Sequence, residues 1–452
     1  MKIVIFGCGK IGVSIIDSLV GEGHDIVVVD KNPQEVEEVI NIYDVIGLCG
    51  SGVDADIMLE AGVGDAELFI AVTGSDELNM LGCFLARKMG ARYTVARIRN
   101  PEYNDNDLNF LKRHLNLSTA LNPELLVAQE ILNVLRYPTA VKVESFSGRN
   151  LEIVNVCLKD DSLFVGMKLS ELRKKYHEKF LICNVLRDDE VFIPHGDFIL
   201  KAGDRVGLTA ATSEMPKLLR DIGMPRKQPQ SVILLGASRI AFYLAKLLMG
   251  LGINVTIIDR DRQRCEEISA SVPEAVVICG DGMNEEVLLE EGIASTDGYV
   301  ALTGSDEENI LSAYYASSYK VPSVIAKVNR PEMVAAAEKL GLPCVISPMN
   351  IIAETMVHYV RALHNSMGSN VEKLYKLLDG RAELLEFRVF DTFPYCKIPL
   401  RELNLKKSIL VAGIIRGRKS IIPNGDDMIL PDDRVIVQSA GQPLNDLIDI
   451  VG

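Results

Sequence analysis

Several features that define common classes of protein are missing from this sequence of 452 residues. There is no excess of basic residues: the net charge is −14, which argues against a nucleic-acid binder, because such proteins carry a basic surface. No apolar run reaches the roughly 18 residues that a membrane span needs, so we expect no spanning helix. Met1 and Lys2 lead directly into an apolar segment, and we therefore predict no N-terminal signal.

Motifs for metal binding and catalysis are missing as well. The nine cysteines are an odd number without a C-x-x-C pair, which indicates reduced, mostly buried thiols of a cytosolic protein. The six histidines form no H-x-x-x-H or H-E-x-x-H pair, and no nucleophile–base arrangement stands out. We therefore predict no metal site, no catalytic residue and a protein that is not an enzyme.

The chain instead contains an internal duplication. Residues 3–12 and Asp30 have counterparts in residues 232–241 and Asp259, at a constant offset of 229 residues. The segment 73–76 recurs at 303–306, and the segment 193–197 recurs at 422–426. The predicted domain order is large, small, large, small, with boundaries at 1–137, 138–225, 226–365 and 366–452. We call residues 1–225 copy 1 and residues 226–452 copy 2.

The pattern of apolar segments predicts the fold of each domain. In the first large domain, buried strands alternate with helices, which indicates a parallel sheet covered on both faces. Shorter strands, one helix and Gly/Pro turns follow at 140–222, which indicates a small α+β domain. The predicted fold class is α/β, with two Rossmann-like doubly wound parallel-sheet domains, each followed by a small α+β domain. Residues 226–229 form a polar linker between the copies.

A glycine-rich loop opens each copy. In copy 1, Gly7-x-Gly9-x-x-Gly12 lies between a strand and a helix, where Gly7 permits a tight turn and Gly9 lets a pyrophosphate approach the backbone. Gly12 allows the helix and strand to pack closely, and the helix N-terminus favours phosphate. Asp30 can accept hydrogen bonds from the ribose hydroxyls, which favours NAD over NADP. These features predict nucleotide binding in copy 1.

Copy 2 departs from this pattern. Ser238 stands at the second glycine position, where its side chain lies against the path of the phosphate, and Ala241 stands at the third. Asp259 is retained. Weak or altered nucleotide binding and no binding at all both remain open for copy 2.

In copy 1, Thr73 and Gly74 precede a helix, where the following Ser75 and Asp76 can cap the helix while the loop lines the nucleotide crevice. Arg97 ends the next strand, where it is either surface charge or a residue that reaches the adenosine or the phosphates.

These residues resemble the RCK (KTN) domain family, and their duplicated order resembles the TrkA family of bacterial Trk potassium uptake systems. The resemblance covers essentially the whole chain and includes residues 59–62, 71–73, 75–77 and 96–99 beside the glycine loop. It implies a cytoplasmic regulatory subunit at the inner face of the membrane, assembled as a homo-oligomeric ring beneath a TrkH-like potassium-translocating subunit. It also implies NAD(H) in copy 1, with ATP or ADP as further ligands. The positions implied for nucleotide binding are Gly7, Cys8, Gly9, Lys10, Ile11, Gly12, Asp30, Thr73, Gly74 and Arg97 in copy 1, and Gly236, Ala237, Ser238, Arg239, Ile240 and Asp259 in copy 2.

Three other functions remain open from the residues alone. An NAD-dependent oxidoreductase would need an acid–base residue beside the nicotinamide. A regulator tuned to ATP or ADP would use Asp30 in the same way, because the adenosine ribose is common to these ligands. A regulator of a different ion transporter could use the same domains.

Overall fold

The computed structural model describes the chain except for residues 102, 104, 137–139, 147–150, 159, 161, 177–178, 189, 212, 222–228, 343, 367–370, 378–381, 418, 442–443 and 445. The chain forms two compact units, each of which combines corresponding parts of the two copies. The first comprises Met1–Leu132 and Pro229–Val357, and the second comprises Asn133–Gln228 and His358–Gly452. The four predicted domain boundaries stay a prediction, and residues 226–228 of the predicted linker lie outside the described residues.

The two large domains have the same architecture, with six parallel strands in one sheet. The elements of copy 1 are β1 (Lys2–Phe6), α1 (Lys10–Val20), β2 (Asp25–Asp30), α2 (Pro33–Ile42), β3 (Ile46–Cys49), α3 (Ala55–Glu60), β4 (Leu68–Ala71), α4 (Asp76–Met89), β5 (Tyr93–Arg97), α5 (Asp105–His114), β6 (Thr119–Leu121) and α6 (Pro123–Arg136). The strand order is β3-β2-β1-β4-β5-β6. Ile3, Val4 and Ile5 of β1 are fully buried, as expected for a central strand covered on both faces.

A smaller antiparallel domain follows. It contains β7 (Ala140–Phe146), β8 (Leu151–Cys157), α7 (Leu169–Lys175), β9 (Phe180–Arg187), β10 (Glu190–Phe192), β11 (Arg205–Ala211) and α8 (Met215–Asp221). The strand order is β10-β9-β11-β8-β7. The predicted fold class is therefore confirmed for copy 1.

Copy 2 repeats both folds. Its large domain contains β12 (Ser231–Leu235), α9 (Arg239–Met249), β13 (Asn254–Asp259), α10 (Arg262–Ser271), β14 (Val276–Cys279), α11 (Glu285–Glu290), β15 (Gly298–Ala301), α12 (Asp306–Ser318), β16 (Ser323–Lys327), α13 (Pro331–Lys339), β17 (Val345–Ile346) and α14 (Pro348–Ser366). Its small domain contains β18 (Val371–Leu377), β19 (Ala382–Arg388), β20 (Ile409–Arg416), β21 (Lys419–Ile421) and β22 (Arg434–Ala440). A single 3₁₀ turn, Leu400–Glu402, stands where copy 1 has α7.

Contacts between the copies are present within each unit. In the first unit, the Ser14 hydroxyl donates to the Met349 carbonyl at 3.2 Å. In the second unit, one buried apolar cluster contains Leu151 and Ile153 of copy 1 together with Leu384 and Ile436 of copy 2. The small domains therefore share a buried apolar cluster, and the large domains are in hydrogen-bond contact. No helix in the described part of the chain combines the length and the apolar character needed to cross a membrane.

The apolar pattern did not identify α2, α5, β6, β10 or α8. For α2 the signal was present, because the Asn32 side chain accepts from the Gln34 amide and Pro33 occupies the first turn. Alternation of apolar residues alone misses such a helix, since only Val36 and Val39 are buried.

Candidate nucleotide-binding crevices

The glycine loop of copy 1 connects β1 to α1, and two of its glycines are required by packing. Gly7 has a φ of +113°, and a Cβ added there would lie 3.0 Å from the Thr73 amide nitrogen. A Cβ added at Gly12 would lie 1.9 Å from the Gly7 carbonyl oxygen. The loop, the strand β4 and the helix α1 can therefore approach this closely only with glycine at both positions.

Gly9 is different, because no atom would lie within 4 Å of a Cβ added there. It is the N-cap residue of α1, and no side chain caps this helix. The amides of the first turn thus face a space next to an exposed glycine, which is the arrangement that binds a phosphate group. Lys10 is exposed beside it, whereas Ile11 is buried and can contribute only through its backbone.

Asp30 holds the end of β2 next to the glycine loop. Its Oδ2 accepts from the Cys8 amide at 2.7 Å, and its Oδ1 accepts from the Asn32 amide at 2.9 Å. Each oxygen retains a lone pair that can accept from a ribose hydroxyl. Burial, followed by the charges of Asp30 and Glu35, raises the pKa of the Cys8 thiol to about 12, so Cys8 stays protonated at neutral pH.

The loop after β4 is organised by Asn79, whose side chain is fully buried. Its Oδ1 accepts from the Thr73 amide at 2.9 Å and the Thr73 hydroxyl at 2.7 Å, and its Nδ2 donates to the Arg97 carbonyl at 2.9 Å. Ser75 caps α4 as expected, by accepting from the Leu78 amide. Asp76 does not cap the helix, because its carboxylate accepts from the Arg99 and Asn100 amides at the end of β5.

Arg97 lies at the carboxyl end of β5, next to this loop. Its guanidinium donates to the Thr73 carbonyl at 3.4 Å, and its Nε is buried without a hydrogen-bond partner among the described residues. Burial, together with the charges of Arg99 and of Arg239 from copy 2, lowers the pKa of Arg97, while Glu124 and Asp76 oppose the shift. A half-buried cation with an unsatisfied donor is a favourable position for an anionic ligand. Glu124 also has a buried Oε2 with no partner in the described structure.

The corresponding crevice of copy 2 encloses a cavity of about 410 Å³. The predicted residues that line it are Gly236, Ala237, Ser238 and Asp259. Asp259 repeats the geometry of Asp30, because its Oδ2 accepts from the Ala237 amide at 2.7 Å and its Oδ1 from the Asp261 amide at 2.8 Å. Arg239 and Ile240 are not among the lining residues. Ile240 is buried, and the exposed Arg239 is close enough to Arg97 of copy 1 to affect its pKa.

Ser238 serves as the N-cap of α9 in this crevice. Its hydroxyl accepts from the Ala241 amide at 3.3 Å, whereas the Gly9 position of copy 1 has no side chain to do so. One amide at the helix N-terminus is therefore already hydrogen-bonded within the protein. The side chain both lines the cavity and reduces the number of amides that a phosphate could use.

Three basic residues that the sequence did not single out also line the copy 2 cavity: Arg260, Arg264 and Lys327. Lys327 occupies the position of Arg97, and Arg264 occupies the position of the acidic Glu35. Burial lowers the pKa of Lys327, and the charge of Asp306 opposes this effect. Arg260 pairs with Glu308 across the cavity at 3.3 Å. All three residues could have been identified from the sequence by aligning the two copies, because each aligns with a residue near the copy 1 crevice.

Two family models match this chain, and each matches it twice. The model described as the TrkA-N domain matches residues 3–119 and 232–348, which include both crevices. The model described as the TrkA-C domain matches residues 153–223 and 384–452.

Proteins of known identity are similar over nearly the full length. A Trk system potassium uptake protein TrkA homolog from Archaeoglobus fulgidus is 31% identical over 438 residues, which cover 97% of each chain. Among solved structures, a GsuK channel bound to NAD has a TM-score of 0.63 at 20% identity and covers 97% of this chain and 77% of that one. GsuK bound to ADP has a TM-score of 0.52 at 16% identity, with coverage of 81% and 69%. At these identities the two structures establish similarity of fold.

Proposed function

This chain belongs to the family of proteins with TrkA-N and TrkA-C domains, and we propose that it is a nucleotide-binding regulatory subunit that controls ion flow through a membrane potassium-translocating partner. The proposal rests on one observation above the others: the family match is duplicated, and the crevice of copy 1 retains each element that a dinucleotide needs. The chain is a regulatory protein and not an enzyme.

The phosphates of the ligand bind at the copy 1 loop. Gly9 leaves room for them, the uncapped amides of α1 donate to them, and the half-buried Arg97 supplies a positive charge with an unsatisfied donor. The phosphates thus give hydrogen-bond partners to the free amides and to the buried Nε of Arg97. Gly7, Cys8, Lys10, Ile11, Thr73 and Gly74 complete the site.

At the other end of the crevice, recognition of the ribose by Asp30 determines which nucleotide binds. Asp30 is held by two backbone amides with lone pairs free for the ribose hydroxyls, and a 2′-phosphate would be repelled by its charge. We assign NAD(H) to copy 1 on this basis. ADP and ATP share the adenosine ribose, and solved structures of the GsuK fold carry either NAD or ADP.

Copy 2 offers a different balance of charge to a nucleotide. Arg260, Arg264 and Lys327 surround a crevice with fewer free amides, because Ser238 caps the helix. Binding in copy 2 therefore depends more on cationic side chains and less on the glycine loop than binding in copy 1. We expect a weaker, more salt-sensitive site that favours the more highly charged ADP and ATP.

Three arginines from the two copies lie near one another and can make nucleotide binding dependent on how the copies are arranged. Arg97 and Arg99 of copy 1 lie near Arg239 of copy 2, and their like charges disfavour one another. A bound phosphate neutralises this cluster, so it binds best to the arrangement that brings the three cations together. Such a difference in affinity between two arrangements is what a ligand needs to shift a conformational equilibrium, with coupling of about 1–3 kcal/mol.

The membrane partner in this proposal is a TrkH-like potassium-translocating subunit. The chain acts at the cytoplasmic face of the membrane as a homo-oligomer that forms a ring of its duplicated domains. Support comes from the name of the 31% identical relative, a potassium uptake protein, and from the similarity in fold to a protein named as the GsuK channel.

The experiment has a binding part and a transport part. Purified full-length protein is titrated with NADH, NAD, ATP and ADP in an isothermal calorimeter, alongside Gly9→Asp and Ser238→Asp. We expect binding of NADH to be lost in Gly9→Asp and retained in Ser238→Asp, without turnover of the nucleotide. Potassium flux into liposomes that contain a TrkH-like subunit should then depend on this protein and on the nucleotide.

Three results would contradict the proposal. Hydride transfer to any added substrate would favour an oxidoreductase, and flux that is unaffected by the protein would separate it from potassium uptake. Absence of binding by all four nucleotides to a folded protein would mean that the loop is purely structural.

A further inference from the structure

Two cysteines of copy 2 lie on neighbouring elements beside the nucleotide crevice. Cys265 is on α10, and its Sγ lies 3.3 Å from the Asp259 carbonyl oxygen and 3.8 Å from the Ile278 carbonyl oxygen. Cys279 is the last residue of β14 and pairs in register with Asp259 on β13. Cys265 and Cys279 also line the same surface cavity, so the two side chains are neighbours. Because the Cys265 Sγ contacts the carbonyl of the residue before Cys279, a small movement of α10 and β14 can bring the two sulfur atoms to disulfide distance.

Only one of the two thiols is open to solvent. Cys279 is exposed, whereas Cys265 is 6% exposed. Both line a broad surface cavity of about 700 Å³, together with Arg262, Glu266 and Ser269. A small reagent can therefore reach Cys279 first, and Cys265 is positioned to react with whatever forms there.

The pair is connected to the wall of the nucleotide crevice. The three residues after Gly280, which are Asp281, Gly282 and Met283, line the 410 Å³ cavity of copy 2. The Asp259 carbonyl accepts both the Cys265 thiol and the Gly280 amide, at 3.3 Å and 2.9 Å. A change of bonding at Cys265 or Cys279 is thus transmitted directly to the strand end that carries the ribose-binding Asp259.

Copy 1 lacks the pair. Val36 stands on α2 at the position of Cys265, and Cys49 ends β3 at the position of Cys279. Val36 is buried and Cys49 is exposed, so the local packing is the same while the chemistry is different. The duplication therefore supplies an internal control for any reaction of the copy 2 pair.

We propose that Cys265 and Cys279 form a reversible intramolecular disulfide on exposure to peroxide, and that this bond changes nucleotide binding in the copy 2 crevice. In the first step the Cys279 thiolate attacks a peroxide oxygen, the O–O bond breaks, and Cys279 becomes a sulfenic acid; the leaving hydroxide takes up the proton that the Cys279 thiol lost and becomes water. In the second step the Cys265 sulfur displaces the sulfenic oxygen, which leaves as water with the Cys265 proton. The two thiols lose two electrons, and the peroxide gains them.

The surroundings of Cys265 explain why Cys279 reacts with peroxide first. Burial, followed by the charges of Cys279 and Asp259, raises the pKa of Cys265 to about 11, so Cys265 is protonated at neutral pH and does not react with peroxide itself. The second step should therefore accelerate as the pH rises. A disulfide in a cytosolic protein is usually transient and redox-sensing, which fits a bond that forms on oxidation and is removed by cellular thiols.

The bond has a structural consequence for the crevice. An S–S bond of about 2.05 Å draws the end of β14 towards α10, and it removes the thiol donor from the Asp259 carbonyl. Both changes displace the wall formed by residues 281–283. We expect the dissociation constant of ADP in copy 2 to change at least threefold. This second part rests on the proposed nucleotide site, whereas formation of the disulfide does not.

The test uses the full-length protein treated with one to two equivalents of hydrogen peroxide and then alkylated. We expect an intact mass about 2 Da lower, a Cys265–Cys279 cross-linked peptide in the digest, and reversal by dithiothreitol. Cys279→Ser and Cys265→Ser should lose the cross-link, and Cys49→Ser should retain it. Val36→Cys should gain a second cross-link, to Cys49. Oxygen addition at Cys279 of the wild-type protein without the cross-link, or a bond to another cysteine, would overturn the proposal.

The effect on binding is measured separately. In Gly9→Asp protein, where copy 1 is disabled, ADP affinity is compared between the oxidised and reduced forms. A shift that is absent in Cys265→Ser supports the regulatory part. Equal affinities in a protein whose cross-link has been mapped would refute the regulatory part and leave the disulfide standing, and no ADP binding in either form would count against the nucleotide site of copy 2.

Discussion

The Asn122 side-chain amide donates a hydrogen bond to the Tyr243 hydroxyl at 2.9 Å, although the two residues belong to different copies of the large domain. Tyr243 lies on α9, and its hydroxyl in turn donates to the Arg99 carbonyl at 3.3 Å. The hydroxyl thus connects α9, whose N-cap is Ser238, with the strand end that carries Arg97. This contact places a direct link between the two crevices inside one compact unit.

We expect Tyr243→Phe to weaken this link. The substitution leaves the Arg99 carbonyl and the Asn122 amide without this partner, which should lower the free energy of unfolding by about 1–2 kcal/mol in urea denaturation. The effect of NADH in copy 1 on ADP binding in copy 2 should decrease as well. Tyr314→Phe, on an exposed face of α12, is the matched control and should change neither quantity.

Substitutions at two glycines of the copy 1 loop should affect different properties, nucleotide affinity at Gly9 and stability at Gly12. Gly9→Asp places a carboxylate in open space, so the fold should persist while affinity for NADH falls by at least tenfold, or about 1.4 kcal/mol, through repulsion of the phosphates. Gly12→Ala should lower the melting temperature, because its Cβ would meet the Gly7 carbonyl. Gly21→Ala, where no atom is near, is the control. A Gly9→Asp protein that unfolds, or a Gly12→Ala protein of normal stability, would contradict these roles.

The two ribose-binding acids should differ in importance. Asp30→Ala is expected to weaken nucleotide binding more than Asp259→Ala, because only copy 1 combines the acid with an uncapped helix. Titration calorimetry of both variants with NADH measures the difference. Asp30→Asn controls for the structural role, since it can still accept the Cys8 amide. Equal losses in the two alanine variants would show that the copies contribute equally.

Asp306 should make copy 2 sensitive to acid. Burial opposes the charge of Asp306, but hydrogen bonds from the amides and side chains of Asn329 and Arg330 outweigh it and lower the pKa of Asp306. A carboxylate with a depressed folded-state pKa stabilises the fold above its unfolded-state pKa of about 3.9, and this contribution is lost as the pH falls further.

We therefore expect Asp306→Asn to cost about 1–3 kcal/mol at pH 7, and the difference from the wild type to shrink below about pH 4. Urea denaturation across this range measures both effects. Asp197→Asn, which removes an exposed ion pair with Lys168, should change stability little at any pH. If the free energies of unfolding of the wild type and Asp306→Asn differed by the same amount at all pH values, the effect would be due to packing and not to the charge of Asp306.

Local sequence patterns predicted much of the fold of copy 1. A buried parallel strand needs a short apolar run, and a phosphate loop needs glycine where β1 and α1 approach closely, so residues 2–12 predict their own structure. The same patterns predicted most strands and helices of copy 1 to within two residues. The helix α2 was missed because its signal lies in the cap at Asn32 and Pro33 and not in its apolar spacing.

The sequence by itself determined the duplication, the fold class and the sites of the two glycine loops, because each depends on residues that are close along the chain or repeated at a constant offset. The tertiary structure decided what depends on distant residues. It showed that the Ser238 hydroxyl turns back to cap α9, that Arg260, Arg264 and Lys327 line one cavity, and that Cys265 and Cys279 line another. It also combined the large domains in one unit and the small domains in another, because the contacts between them come from residues far apart along the chain: hydrogen bonds such as Asn122–Tyr243 between the large domains, and an apolar cluster that contains Leu151 and Leu384 between the small ones.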